Sequence, residues 1–143
     1  MIHFQLVTQT GMKFDQDVYE IILPTLEGQI GVLTDHMPLI SVVTNGVISV
    51  RRNSRDQDSQ MDHFATYGGV IEVADNKLRV LVDEADNPDE INEGEAKKAY
   101  ELAKKMKAEA KDQISLSHAQ ALIDRQAVRL QVSQLRRHTQ PRR

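Results

Sequence analysis

The five histidines, His3, His36, His63, His118 and His138, are the side chains best suited to proton transfer or metal ligation near neutral pH. None of them is paired at a metal-binding spacing, and His36 has no second group placed to work with it. The serines offer no Gly-x-Ser-x-Gly elbow. Gly68-Gly69 lacks the Lys-Ser/Thr that a phosphate loop requires and reads instead as a strand kink or bulge. The absence of cysteine removes disulfides, thiolate metal sites and thiol nucleophiles. What remains is docking chemistry. His36 sits in an Asp35-His36-Met37-Pro38 corner, where it either satisfies backbone groups or meets a partner. Gly28 and Gly31 suit a turn with positive φ, or the close approach of another chain to a loop. Arg125, Arg129 and Arg136 lie in a stretch with no acidic residue after Asp124, dressed either as a solvated helix face or for an acidic protein surface.

Charge divides the chain in the same way. Residues 1–94 carry six Lys/Arg against sixteen Asp/Glu, a net of −10, whereas residues 95–143 carry twelve against five, a net of +7. Such halves either attract each other or choose different partners. Nucleic acid is a poor match, because the first half is acidic and the basic helix has no interleaved aromatics. The N-terminus, MIHFQLVTQ, shows no basic-then-apolar signal pattern, and no apolar run is long enough to cross a membrane, so direct insertion is not expected.

The elements that must position these residues are first β, then α. Ile2, Phe4 and Leu6 alternate with polar neighbours, the period of a half-buried strand. Asn45-Gly46 between LISVV and VISV reads as a hairpin turn, and Asp75-Asn76 separates VIEV from KLRVLV in the same manner. Arg51–Asp62 is polar throughout and reads as a solvated hairpin tip. Strands recurring at this spacing argue for a sandwich or flattened barrel.

At Asn87-Pro88 the pattern changes, and from Asn92 the chain is helical. Asn92 with Glu95 resembles a capping box, and Ala96, Ala99, Ala103, Met106 and Ala110 form the stripe of a first helix. Ser117 with Gln120 reads as the cap of a second helix running to His138, with the turn near Gln113–Ser117. At 100° per residue, Ala119, Leu122, Ile123, Ala127 and Leu130 gather on one side of that helix. Ala121, Val128, Val132 and Leu135 gather nearly opposite, with the arginine strip between the two faces. Helices of about 19 and 21 residues are about 28 and 32 Å long. The alanine-rich stripe of the first buries little area, so the hairpin is expected to be weakly held and able to detach.

The block EGQIGVLTDHMPLISVVTNGVISV (27–50), followed by YGGVIEVADNKLRVLVDEA (67–85), resembles the epsilon subunit of bacterial F-type ATP synthases. The likeness covers nearly the whole chain. It implies an α+β, mainly β fold: a ten-stranded β-sandwich over residues 1–86, then a two-helix antiparallel hairpin over residues 87–143.

The resemblance further implies a non-catalytic central-stalk subunit of a proton-transporting rotary machine, peripheral on the cytoplasmic face of the bacterial plasma membrane. Its sandwich would bind the gamma subunit and the ring of c subunits. Its hairpin would extend towards the alpha and beta subunits of the catalytic head and inhibit ATP hydrolysis. The ring-facing residues fall on Glu27, Gly28, Gln29 and Ile30, with His36 and Pro38 near that interface. Arg125, Arg129 and Arg136 correspond to the basic face that meets acidic beta-subunit loops in the extended state. No cofactor is expected apart from ATP, which some members bind between the helices through an Ile/Leu-Asp-x-x-Arg-Ala motif. Here Ile123-Asp124 match its start, Ala127-Val128 replace its Arg-Ala, and Arg129 is the arginine on offer.

Overall fold

The computed structural model describes the backbone of residues 1–139 and the side chains of residues 1–135. Eight strands come first: β1 (Ile2–Thr8), β2 (Gly11–Val18), β3 (Glu20–Thr25), β4 (Gly28–Val32), β5 (Leu39–Arg51), β6 (Asp62–Ala74), β7 (Lys77–Val82) and β8 (Ala85–Asp86). A 3-10 turn at Pro88–Glu90 leads to α1 (Glu93–Glu109) and α2 (Gln113–Thr139). The strand order is β2-β1-β7-β6-β5-β3-β4, with β8 added to β6, and β1–β7 is a parallel pair among antiparallel ones. The fold is therefore mainly β, with a helical hairpin at its end. Among the described residues no helix is long and apolar enough to cross a membrane.

The sheet closes over its own core. Through the ladder, Phe14 on β2 is level with Leu6, Val80 and then Ile71 on β6. Phe64 lies seven residues from Ile71 along β6, so a flat sheet would hold it more than about 20 Å from Phe14. The two rings instead stand 5.9 Å apart, edge to face. The strands must fold into two layers, and β6 passes between them where Gly68 adopts a φ of +112° and its ladder with β5 is interrupted. The kink read from Gly68-Gly69 is present. Gly69 is also forced by contact, since a Cβ there would lie 2.2 Å from the Leu81 carbonyl oxygen. Ile2, Phe4, Leu6, Ile21, Leu23, Ile48, Ile71 and Leu78 are fully buried between the layers.

Three expectations are corrected. Among the described residues, eight strands stand in place of ten. Asn45-Gly46 is not a turn: it lies inside β5, opposite Tyr67 and Thr66, so the two short strands expected there are one of 13 residues. Glycine occupies position 46 because a Cβ would come within 2.9 Å of the Pro24 side chain on β3. Long-range pairing on both edges overrides the local turn preference. Asp75 and Asn76, with φ of 52° and 57°, do make the β6–β7 hairpin turn. The third correction concerns the helices. Asn92 accepts from the Glu95 amide and caps α1, but α2 begins at Gln113 rather than Ser117 and reaches 27 residues. Its cap is Asp112, which accepts the Ser115 amide at 2.7 Å.

Candidate functional site

The hairpin meets the sandwich through α2. Val128 and Val132 are buried against Ala65 on β6, Ile91 and Ala96, with Val47, Tyr67 and Leu130 packed around them. This small apolar seam is separate from the core between the layers. Ala96 and Ala103 on α1 and Ala119 on α2 are also buried. Each fully buried valine contributes about 1.5–3 kcal/mol at most.

Beside the seam, the basic strip faces protein rather than water. Tyr67 at the kink of β6 donates its hydroxyl to Asp86 Oδ2 at 2.8 Å. Arg129 donates to the same oxygen at 2.7 Å and to the Tyr67 hydroxyl oxygen at 3.4 Å. Arg125, one helical turn earlier, lies over the Tyr67 ring at 4.1 Å and bonds the Glu84 carboxylate. Burial, and then the bond to Asp86, pushes the Tyr67 phenol up to about 12. Burial works to lower the pKa of Arg129, but the Tyr67 bond and the charges of Asp86 and Glu84 outweigh it and leave it raised. Arg136 lies outside the described side chains.

A second group of residues flanks β4. The β3–β4 hairpin turns at Leu26-Glu27, and Thr25 Oγ1 donates to the Gly28 carbonyl at 2.6 Å. Gly28 has a φ of +112°, the left-handed region expected of it. Glu27, Gly28 and Gln29 are exposed, while Ile30 leans on the core. The corner at the far end of β4 is braced differently. Asp35, at φ 59°, gives its amide to Asn76 Oδ1 at 2.8 Å, and His36 Nδ1 donates to the Met37 carbonyl at 2.7 Å. His36 thus satisfies a backbone group. Pro38 and Met37 are exposed beside it. The five residues of β4 run about 16 Å from the turn towards the corner.

A third surface is the outer face of the sheet. Met12, Val7, Leu81, Val70 and Val42 are direct cross-strand neighbours in one row over β2, β1, β7, β6 and β5. Met12 is 51% exposed, Leu81 42%, Val70 44% and Val42 48%. Single exposed apolar residues mean little, but a contiguous row is the kind of patch that interaction sites present. The adjacent row, Ile40, Glu72, Arg79, Gln5 and Asp15, is largely charged or polar.

Residues 1–88 match the family described as ATP synthase, Delta/Epsilon chain, beta-sandwich domain. The ATP synthase epsilon chain of Herpetosiphon aurantiacus is 31% identical over 97% of this chain and 98% of its own length. The chain belongs to the ATP synthase delta/epsilon family.

Members of this family named epsilon chain are non-catalytic subunits of the rotary ATP synthase, and this chain is a non-catalytic one of that kind. Its fold is shared with a chain of the Euglena gracilis mitochondrial ATP synthase, OSCP/F1/c-ring in rotational state 1, at TM-score 0.79, 22% identity and coverage of 93% and 81%. A chain of the Tetrahymena thermophila mitochondrial ATP synthase, central stalk/c-ring, matches at TM-score 0.56, 15% identity and 96% coverage of both.

The three residues matched to the nucleotide motif stand in different surroundings on α2. Asp124 is exposed and accepts from Gln120, whose Oε1 receives Lys107 of α1. Ile123 is half-buried, and Arg129 points to Asp86 on the sandwich. Two parts of the site escaped the sequence. The carboxylates that receive the arginines, Glu84 and Asp86, lie 39 or more positions away, and only the opposite charges of the two halves hinted at them. The outer apolar row left a signal in each strand, for Leu81 alternates with Val80 and Val82, but the row itself exists only after the strands pair.

Proposed function

We propose that the chain is a central-stalk rotor subunit of a membrane-associated F-type ATP synthase, coupling ion-driven rotation to ATP synthesis. The gamma subunit docks on the outer apolar row, and the ring of c subunits meets the sandwich at Glu27–Ile30 and the His36–Pro38 corner. The protein is peripheral, on the cytoplasmic face of a bacterial plasma membrane. In its extended state the hairpin inhibits ATP hydrolysis by presenting Arg125, Arg129 and Arg136 to acidic beta-subunit loops beside the alpha subunits. The observation that carries the reading is the row Met12–Val7–Leu81–Val70–Val42, four of its five residues exposed, on a sheet whose opposite face holds the core. Such a face requires a protein partner, and membership of the epsilon family supplies its class.

The test is co-purification of the tagged chain with gamma and c subunits from cells making the whole complex. The wild-type chain brings both down. Val70→Asp with Leu81→Asp places two charges at the centre of the row, and is expected to reduce recovered gamma at least about tenfold. Undiminished recovery with the double variant, or no gamma with the wild type, would overturn the assignment.

A further inference from the structure

We propose that Tyr67, Glu84 and Asp86 form a built-in receptor for Arg125 and Arg129, so that the sandwich competes with any acidic partner for the two arginines and sets how much of the hairpin stands free. The two arginines are four residues apart on α2 and project to the same side, about 6 Å apart along the helix axis. Each finds a separate carboxylate, Glu84 for Arg125 and Asp86 for Arg129. Tyr67 joins the two sites: its hydroxyl is fixed on Asp86, which holds its ring beneath the Arg125 guanidinium.

This arrangement asks for arginine specifically. Arg125 sets its guanidinium over the ring while its Nη2 bonds Glu84, and Arg129 donates from Nη1 to both Asp86 and the phenol oxygen. A lysine ammonium at position 125 has no plane to lie on the ring while a separate nitrogen bonds Glu84. Arg129 and Asp86 are both about four-fifths shielded, with side-chain exposures of 22% and 22%. Losing one partner there leaves a charge poorly solvated, which makes this pair worth more than an ordinary surface bridge. Val128 and Val132 pack beside the two ion pairs, so the arginines come free only when the apolar seam opens too.

The consequence is a two-state equilibrium with exclusive use of the same side chains. While α2 lies on the sandwich, both guanidiniums are engaged, and an acidic surface elsewhere must outbid Glu84, Asp86 and Tyr67 together. The identity of that competing surface rests on the rotor reading above. The receptor itself rests only on contacts within the chain.

The chain has no cysteine, so spin labels on introduced Glu72→Cys and Gln131→Cys report one sandwich–helix distance in the full-length protein. Pulsed dipolar spectroscopy should give a single distance for the parent, shorter than that of a released hairpin. Glu84→Gln with Asp86→Asn should raise the long-distance fraction about tenfold, with far-UV circular dichroism unchanged. Asp86→Arg combined with Arg129→Asp, which restores the opposite charges, should recover most of the short-distance population. An unaltered distribution in the neutralised variant overturns the receptor, as does a charge-swapped pair that stays as open as either single change. If the neutralised variant opens while hydrolysis by the reconstituted complex does not change, the receptor stands and the inhibitory role of the hairpin falls.

Discussion

Tyr67 carries more of the hairpin's attachment than its place in a β-strand suggests. It faces Asp86 on β8, Glu84 just before it, and Arg125 and Arg129 on α2, and its phenol sits at about 12 instead of the ordinary 10. The sign follows directly. Below about 10, the pKa of a tyrosine in an unfolded chain, the phenol is neutral folded and unfolded, and the fold has its full advantage. As pH rises from 10 to 12 the unfolded chain ionises first, so folding stability falls across that window. We expect the thermal midpoint to drop between pH 10 and 12, and Tyr67→Phe to remove that part of the dependence. An equal pH response in the phenylalanine variant would show that another group titrates. The sequence offered Tyr67 only as the start of a strand. Its role arises from residues at 84, 86, 125 and 129, which no local pattern could bring together.

Among the elements, β6 is the hinge of the fold. Its first half pairs with the end of β5 and its second half with β7, and Gly68-Gly69 carries it across. Gly69→Ala would place a methyl group 2.2 Å from the Leu81 carbonyl, a backbone atom that cannot turn aside. We expect a loss of about 2–3 kcal/mol, seen as a lower thermal midpoint with no change in the hairpin's docking contacts. A neutral effect would mean that β6 and β7 part more easily than their ladder implies. The kink was legible because two adjacent glycines are rare inside an apolar run. Asn45-Gly46 misled for the same reason: the glycine serves contact with Pro24 instead of a turn, and that neighbour is 22 positions away. Helix α1 was read from its Asn92 cap, whereas α2 began earlier than expected because Asp112, not Ser117, takes the orphan amide.

At the scale of the whole molecule, two cores divide the work. The sandwich core draws only on residues 2–85, so the β half has what it needs to fold without the hairpin. The hairpin rests on a smaller seam and two arginine contacts. The division into an acidic β half and a basic helical half was legible from composition and charge. The docking face was not, because it is a row across five strands and no segment contains it. Both halves of the account meet in one measurement: ATP hydrolysis by complexes reconstituted with the full chain or with a chain ending at Pro88. The shortened chain should assemble as well as the full one and give several-fold faster hydrolysis. Failure to assemble would move docking out of the sandwich, and unchanged hydrolysis would remove regulation from the helices.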